Sequence, residues 1–215
     1  MTRLVLIRHG EAQTYLEKIV AGEDNCKGLS PLGRRQAEAL RDRFKAHDEL
    51  GEVDALYAST VPRAIETAAI LAPALGHLEV RIERDLREYD AGEAHGLTWE
   101  ELEQRYPVPE HRDPHWVRAP GGESWLAFGE RVGAALEQII TAHQGKTVVI
   151  ACHGGVIEHA FQVWGLPSVD GLHMQIDNTG ITEFLWTDAW PWHQPAPPSW
   201  RLIRVNDAAH LLGVV

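Results

Sequence analysis

The chain has 215 residues, of which 44% are hydrophobic and 24% charged, and its formal net charge is -11. That length buries a sizeable core and suits one domain over residues 1–215. The hydrophobic share, with no low-complexity tract, excludes a disordered chain, and the acidic balance excludes a nucleic-acid-binding face, which needs cations to neutralise backbone phosphates.

At the N-terminus only the four-residue run Leu4 to Ile7 is continuously apolar before charge returns at Arg8. It is too short for a signal-peptide core and suits a strand buried on both faces. Ser30-Pro31 is a helix start, a capping hydroxyl followed by proline at the first helical position. Ala37, Leu40 and Phe44 follow it at helical spacing. Ala55 to Ala58 reads as a second strand, and Pro62 opens a helix with the stripe Ile65, Ala68, Ala69 and Ala72. Residues 106–122 are irregular and rich in proline and histidine. Trp125, Phe128, Val132, Ala135, Leu136 and Ile139 then mark one face of a helix ending near Gly145. Thr147 to Ala151 is another buried strand, Gly154 and Gly155 lead into a helical stretch from Val156 to Trp164, and residues 188–199 are irregular, with four prolines and two tryptophans. Irregular stretches of that length are either functional lids or insertions.

Strands alternating with helices of this length predict an α/β fold with a mainly parallel sheet sandwiched between helices. No run of about 18 apolar residues exists, so no transmembrane helix and no membrane partner are expected. The two cysteines, Cys26 and Cys152, make neither a disulfide framework nor a zinc cluster, and a cytoplasmic location follows as the expectation.

Two points share one architecture. Arg8-His9-Gly10-Glu11 directly follows the first buried strand, and His153-Gly154-Gly155 directly follows the strand at 147–151. In a parallel sheet the carboxyl ends of the strands lie along one edge, where ligands bind in open α/β folds, so both histidines are expected to meet there. Glycines after each histidine allow a sharp turn and close approach of a ligand, and the helix after Gly155 points its N-terminus toward an anion. Ser59-Thr60-Val61-Pro62-Arg63 follows the strand at 55–58 and brings a second arginine to the same edge. The planar guanidinium holds two phosphate oxygens at once. Packing does not require cationic residues at three separate strand ends, whereas a phosphate pocket does. In so acidic a protein, attraction of an anionic ester must come from a few such groups focused in a cleft.

These motifs resemble the histidine phosphatase superfamily, the phosphoglycerate-mutase-like proteins. The resemblance runs through Arg8-His9-Gly10-Glu11, Leu29-Ser30-Pro31-Leu32-Gly33 with Gln36-Ala37, Ser59 with Arg63-Ala64 and Thr67-Ala68, and Leu86-Arg87-Glu88. It continues through Gly122-Glu123-Ser124, His153-Gly154-Gly155, Asn178-Thr179-Gly180-Ile181 and Asn206-Asp207. It implies a three-layer α/β/α sandwich with a mixed, mostly parallel sheet, one strand antiparallel to the rest. It also implies that His9 is phosphorylated, that Arg8, Arg63 and His153 bind phosphate together with Ser59 and Gly154, and that Glu88 protonates the leaving group, with Asp90 and Glu93 as rivals. The chemistry is consistent with those roles: nearby arginines keep an imidazole neutral, cations offset charge on the transferring phosphoryl oxygens, and an alkoxide leaves badly unless protonated. After Glu11 the sequence Ala12-Gln13-Thr14-Tyr15 departs from the tryptophan and asparagine that touch substrate in many relatives.

The reading that results is a phosphomonoester hydrolase without cofactor or metal, acting on a small phosphate ester or a phosphoprotein. Alternatives are a phosphoglycerate mutase and a phospho-ligand-binding module without turnover. A mutase of this family carries a lysine and paired arginines in the insertion after the acid, whereas residues 89–122 contain only the scattered Arg105, Arg112 and Arg118. Zinc binding through His111 and His115 is disfavoured because Asp113-Pro114 breaks a common helical face. Gly122-Glu123-Ser124-Trp125-Leu126 lacks the second glycine of a serine hydrolase elbow. Physiological substrate and oligomeric state are not legible.

Overall fold

The computed structural model describes residues 1–111, 113–164, 174–187 and 198–214. In chain order the strands are β1 (Thr2–Arg8), β2 (Ala55–Ala58), β3 (Val80–Ile82), β4 (Thr147–Cys152), β5 (Ile181–Thr187) and β6 (Ser199–Asp207). The helices are α1 (Gln13–Leu16), α2 (Pro31–His47), α3 (Pro62–Leu71), α4 (Trp99–Arg105), α5 (Trp125–Ala142) and α6 (Gly154–Val163). The strands form one sheet in the order β3-β2-β4-β1-β5-β6. Parallel pairing joins β3, β2, β4 and β1, while β5 runs antiparallel to both β1 and β6. The sheet is therefore mixed, with β5 as the reversed strand.

Alternate residues of the central strands feed two cores, as the period of two requires. Leu4, Leu6, Val148 and Ile150 pack with Phe128, Leu136 and Ile157 of α5 and α6, while Val5, Ile7, Val149 and Ala151 pack with Leu40 and Phe44 of α2 and Ala68 and Leu71 of α3. Helices thus cover both faces, giving the three-layer α/β/α sandwich. The Ser30 side chain caps α2 by accepting the N–H of Gly33, a contact worth about 1 kcal/mol.

Several local expectations need correction. The buried face of α3 is Arg63, Ala64, Thr67, Ala68 and Leu71, not the stripe Ile65, Ala68, Ala69 and Ala72, because this helix turns a polar pair, Arg63 and Thr67, inward. Trp125 stands at the first turn of α5 and is exposed, while the rest of its stripe is buried. Strands β3, β5 and β6 and helix α4 carry no clear periodic signal. In β5 the alternation is interrupted by buried Thr182 and Glu183, the latter paired with Arg3 and Arg204. Residues 106–122 are irregular where described; Arg112 and residues 188–197 lie outside the described residues. No helix among the described residues is long and apolar enough to cross a membrane.

Candidate active site

Arg8 ends β1 and His9 follows it; His153 follows β4 and Ser59 follows β2, so the parallel register of these three strands sets all four residues on one sheet edge. The backbone N–H of His9 donates to the Cys152 carbonyl at 2.9 Å, tying the two histidine-bearing strand ends together. The rings of His9 and His153 meet edge to face with centroids 5.1 Å apart. Arg63, in the first turn of α3, donates from Nε to His9 Nε2 at 3.0 Å. His9 Nδ1 lies 2.7 Å from the Gly10 carbonyl. Because that carbonyl can only accept and the guanidinium can only donate, the ring carries its proton on Nδ1 and its lone pair on Nε2. Burial, and next Arg63 and Arg8, drive the His9 pKa well below the ordinary histidine value, so the ring stays neutral. Burial, with Arg63 and His9 behind it, does the same to His153. Burial is also the largest influence lowering the Arg8 pKa, opposed by Glu88.

Arg8 Nε, Arg63 Nη1 and His153 Nδ1 are all buried without a hydrogen-bond partner. Unpaired buried polar atoms each cost about 1–3 kcal/mol, and three gathered around one imidazole form a cradle for an anion.

The glycines act differently from the sequence expectation. Gly10 does not take up a left-handed turn; any side chain there would strike the backbone of Gly33, and one on Gly33 would strike Glu11. The pair lets the loop after β1 lie directly on the start of α2. There Glu11 donates its N–H to Gln36 and accepts from the Ser30 hydroxyl at 2.6 Å. At the N-terminus of α6, Gly155 leaves room for the Glu88 carboxylate, which accepts from Gly155 N at 3.2 Å and Tyr89 N at 2.9 Å. The Glu88 side chain thus occupies that helix end.

Of the expected site residues, Arg8, His9, Arg63 and Glu88 line one cavity of about 430 Å³ together with Gly155. Ser59 and His153 lie beneath it, joined by a 2.7 Å hydrogen bond between Ser59 Oγ and His153 Nε2, and Gly154 does not line it. Of the rivals, Asp90 lines a neighbouring cavity of about 190 Å³ that Glu88 and Arg63 also line, but not the large one, and Glu93 lines neither and accepts from the Tyr106 hydroxyl at 3.2 Å. Of the charged residues in the 106–122 stretch, Arg118 reaches the large cavity and His111 and His115 do not.

Sequence reading gave no site role to Asn178, which donates from its side chain to the His9 carbonyl at 2.9 Å, or to Thr67, which accepts the Gly10 N–H at 3.1 Å. Both stand within the quoted motifs, which was the available signal. Tyr15 lies in the stretch after Glu11 that touches substrate in many relatives, whereas Trp99 and Trp125, also at the cavity, carry no signal separating them from surface or core aromatics. No group of three or more His, Cys, Asp or Glu among the described residues is placed to hold a metal ion.

Buried imidazoles and guanidinium groups on the C-terminal edge of a mixed α/β/α sheet define the class of phosphate-handling proteins with a histidine at the centre. The chain belongs to the histidine phosphatase superfamily (branch 1), whose model matches residues 4–193. It is 33% identical to phosphoglycerate mutase-like protein 4 of Arabidopsis thaliana, over 88% of this chain and 81% of that one. It is also 33% identical to a putative phosphoserine phosphatase 2 of Hydrogenobacter thermophilus, over 85% of this chain and 89% of that one. The chain spans half the length of a further relative, the bifunctional protein Rv2228c of Mycobacterium tuberculosis, at 32% identity over 85% of this chain. Among solved structures, a mycobacterial glucosyl-3-phosphoglycerate phosphatase with VO3 superposes at a TM-score of 0.75 and 26% identity, covering 95% of this chain and 99% of that one.

Proposed function

We propose that this protein is a phosphomonoester hydrolase that passes the phosphoryl group through His9 Nε2. The observation that carries the reading is the set of unpartnered buried nitrogens on Arg8, Arg63 and His153 around a histidine whose Nε2 holds a lone pair. When an ester enters, the Arg63 N–H that faces Nε2 has phosphoryl oxygens to bind instead, which turns the lone pair toward phosphorus. The P–O bond to the alcohol breaks as the P–Nε2 bond forms, and a proton on the Glu88 carboxyl goes to the leaving oxygen. Water then attacks phosphorus, gives a proton to the Glu88 carboxylate, and releases inorganic phosphate from Nε2. Arg8, Arg63 and His153 hold the phosphoryl oxygens through the transfer; Ser59 orients His153, and Gly155 leaves the room that Glu88 occupies. Residues 1–215 act as one domain, supported by a single sheet running from Thr2 to Asp207. The partner is a small phosphate ester, the compartment is the cytoplasm, and no metal or cofactor takes part.

Quenching during turnover of 32P-labelled ester should trap a phosphoenzyme that is labile in acid and stable in base, with chelator leaving the rate unchanged. An acid-stable adduct on serine or aspartate would overturn the mechanism. A mutase reading draws on the mutase-like relative. Against it, Arg118 is paired with Glu103 at 2.5 Å, and the described part of residues 89–122 adds no further cation to the large cavity. With 3-phosphoglycerate and a trace of 2,3-bisphosphoglycerate, phosphate release without 2-phosphoglycerate is expected, and rapid isomerisation with little phosphate would reverse the assignment.

A further inference from the structure

The large cavity extends well beyond the imidazole-guanidinium end, and its volume of about 430 Å³ falls within the ~300–1,000 Å³ usual for small-molecule sites. Its lining also includes Tyr15, Ile19, Trp99, Leu102 and Trp125. Three of these are large aromatic side chains left open to solvent around one concavity: Tyr15 is 68% exposed, Trp99 53% and Trp125 44%. Single exposed apolar residues are ordinary on a protein surface, but several rimming one cavity mark a binding surface. Trp125 is also held in place, with its ring 4.6 Å from His159 and 5.4 Å from Phe128.

Charge in the same lining argues in the same direction. Arg118 is the cation there among the described residues, and it is already engaged, donating from Nε to the Tyr106 carbonyl at 3.0 Å and from Nη2 to Glu103 at 2.5 Å. Glu11 and Glu158 line the cavity as well. A carboxylate on the leaving group would find Arg118 already engaged, whereas an apolar group needs no charged partner there.

We infer that the alcohol half of the substrate is bulky and apolar, an aryl or arylalkyl group lying against Trp99 and Trp125, and not the small carboxylate-bearing alcohol of a phosphoamino acid or phosphoglycerate. This rests on the hydrolase reading above. It departs from the substrates that the names of the phosphoserine and glucosyl-3-phosphoglycerate phosphatases state for those relatives.

The test compares primary alkyl esters of similar leaving-group basicity, so that differences report recognition of the alcohol. 2-(1-Naphthyl)ethyl phosphate should exceed ethyl phosphate in kcat/KM at least tenfold and should also exceed phosphoserine. Trp99→Ala, at a half-exposed position where folding is little affected, should reduce the naphthylethyl-to-ethyl ratio at least fivefold, and Trp99→Phe should restore most of it. A preference for phosphoserine or 3-phosphoglycerate, or a ratio unmoved by Trp99→Ala, would overturn the inference while leaving hydrolysis intact. Calorimetric titration with the matching non-hydrolysable phosphonates separates the two readings. If no ester is turned over, the hydrolase reading fails, and binding then decides the apolar subsite: at least tenfold tighter binding of naphthylethyl phosphonate than of ethyl phosphonate supports it, and equal binding rejects it.

Discussion

At one end of the cavity His9 is 7% exposed and Arg63 5%, and each is fixed by contacts from separate elements, whereas at the other end the aromatic rings of Tyr15, Trp99 and Trp125 face solvent. The first end stands on the tips of adjacent parallel strands, whose register leaves His9, Ser59 and His153 no freedom to part. The second is assembled from the short α1, the start of α4 and the first turn of α5. Reaction chemistry tolerates little displacement, since errors of about 1 Å can cost around a hundredfold in rate, while apolar recognition tolerates a good deal. On the proposed function, transfer chemistry is set by the sheet and substrate choice by peripheral helices that can change independently.

The largest effect should come from breaking the buried end at its centre. His9→Ala should lower kcat/KM by at least about a thousandfold, as removal of a nucleophile does, and should abolish the trapped phosphoenzyme. The same variant carries a pH signature. In the folded protein the His9 pKa lies well below the ordinary value of 6.5, so as pH falls through 6.5 the unfolded chain takes up a proton that the folded one does not. Stability then drops with falling pH, by up to about 1.4 kcal/mol per pH unit for one such histidine. Urea midpoints at pH 7.5 and 5.5 should therefore differ less for His9→Ala than for the wild type. An equal or larger loss in the variant would mean that His9 titrates normally in the fold.

Glu88 stands where the two ends meet, and its effect should depend on the leaving group. Glu88→Gln keeps one oxygen to accept from Tyr89 or Gly155, which bind separate carboxylate oxygens, but has no acidic proton, so alkyl phosphates should slow by about a hundredfold and activated aryl phosphates far less. Equal slowing of both classes would assign Glu88 to binding. Asn178→Ala should come next, at about tenfold, because the side chain donates to the His9 carbonyl and its loss frees the ring to drift. Loss confined to KM, with kcat preserved, would show that Asn178 contacts substrate and does not position His9.

Legibility in the sequence followed the same division. Buried parallel strands announce themselves as continuous apolar runs, so β1, β2 and β4 and the residues at their tips, Arg8, His9, Ser59 and His153, could be placed together before any coordinates. Strands β5 and β6 could not, because Glu183 and Arg204 exchange apolar alternation for an ion pair that only the folded sheet brings together. Ser30 and Pro31 mark the start of α2 to the residue, yet the apolar stripe of α3 misses its buried face because Arg63 points inward to His9, a demand of the site that periodicity does not encode. Trp125 shows the converse: it fits the apolar stripe of α5 but lies one turn beyond the core, where the cavity begins. Surface aromatics and core aromatics are written with the same letters, and only the position of the helix end tells them apart.

The smallest expected effect tests whether the open end is apolar in use as well as in lining. Arg118 reaches the cavity from the 106–122 segment, but its guanidinium is bound to Glu103, which is itself well exposed, and to the Tyr106 carbonyl. A cation already paired in this way has little field left for a ligand, and exposed pairs of this kind contribute about 0–1 kcal/mol. Arg118→Gln should consequently change kcat/KM by less than about threefold for ethyl phosphate and phosphoserine alike, since 1.4 kcal/mol would be needed for tenfold. His111→Ala and His115→Ala, at exposed positions away from the cavity, should change neither. A tenfold loss on phosphoserine with ethyl phosphate unaffected would show that Arg118 leaves Glu103 to take the leaving group's carboxylate. The open end would then be a charge-recognition site, and its aromatic rings would serve as packing around that arginine.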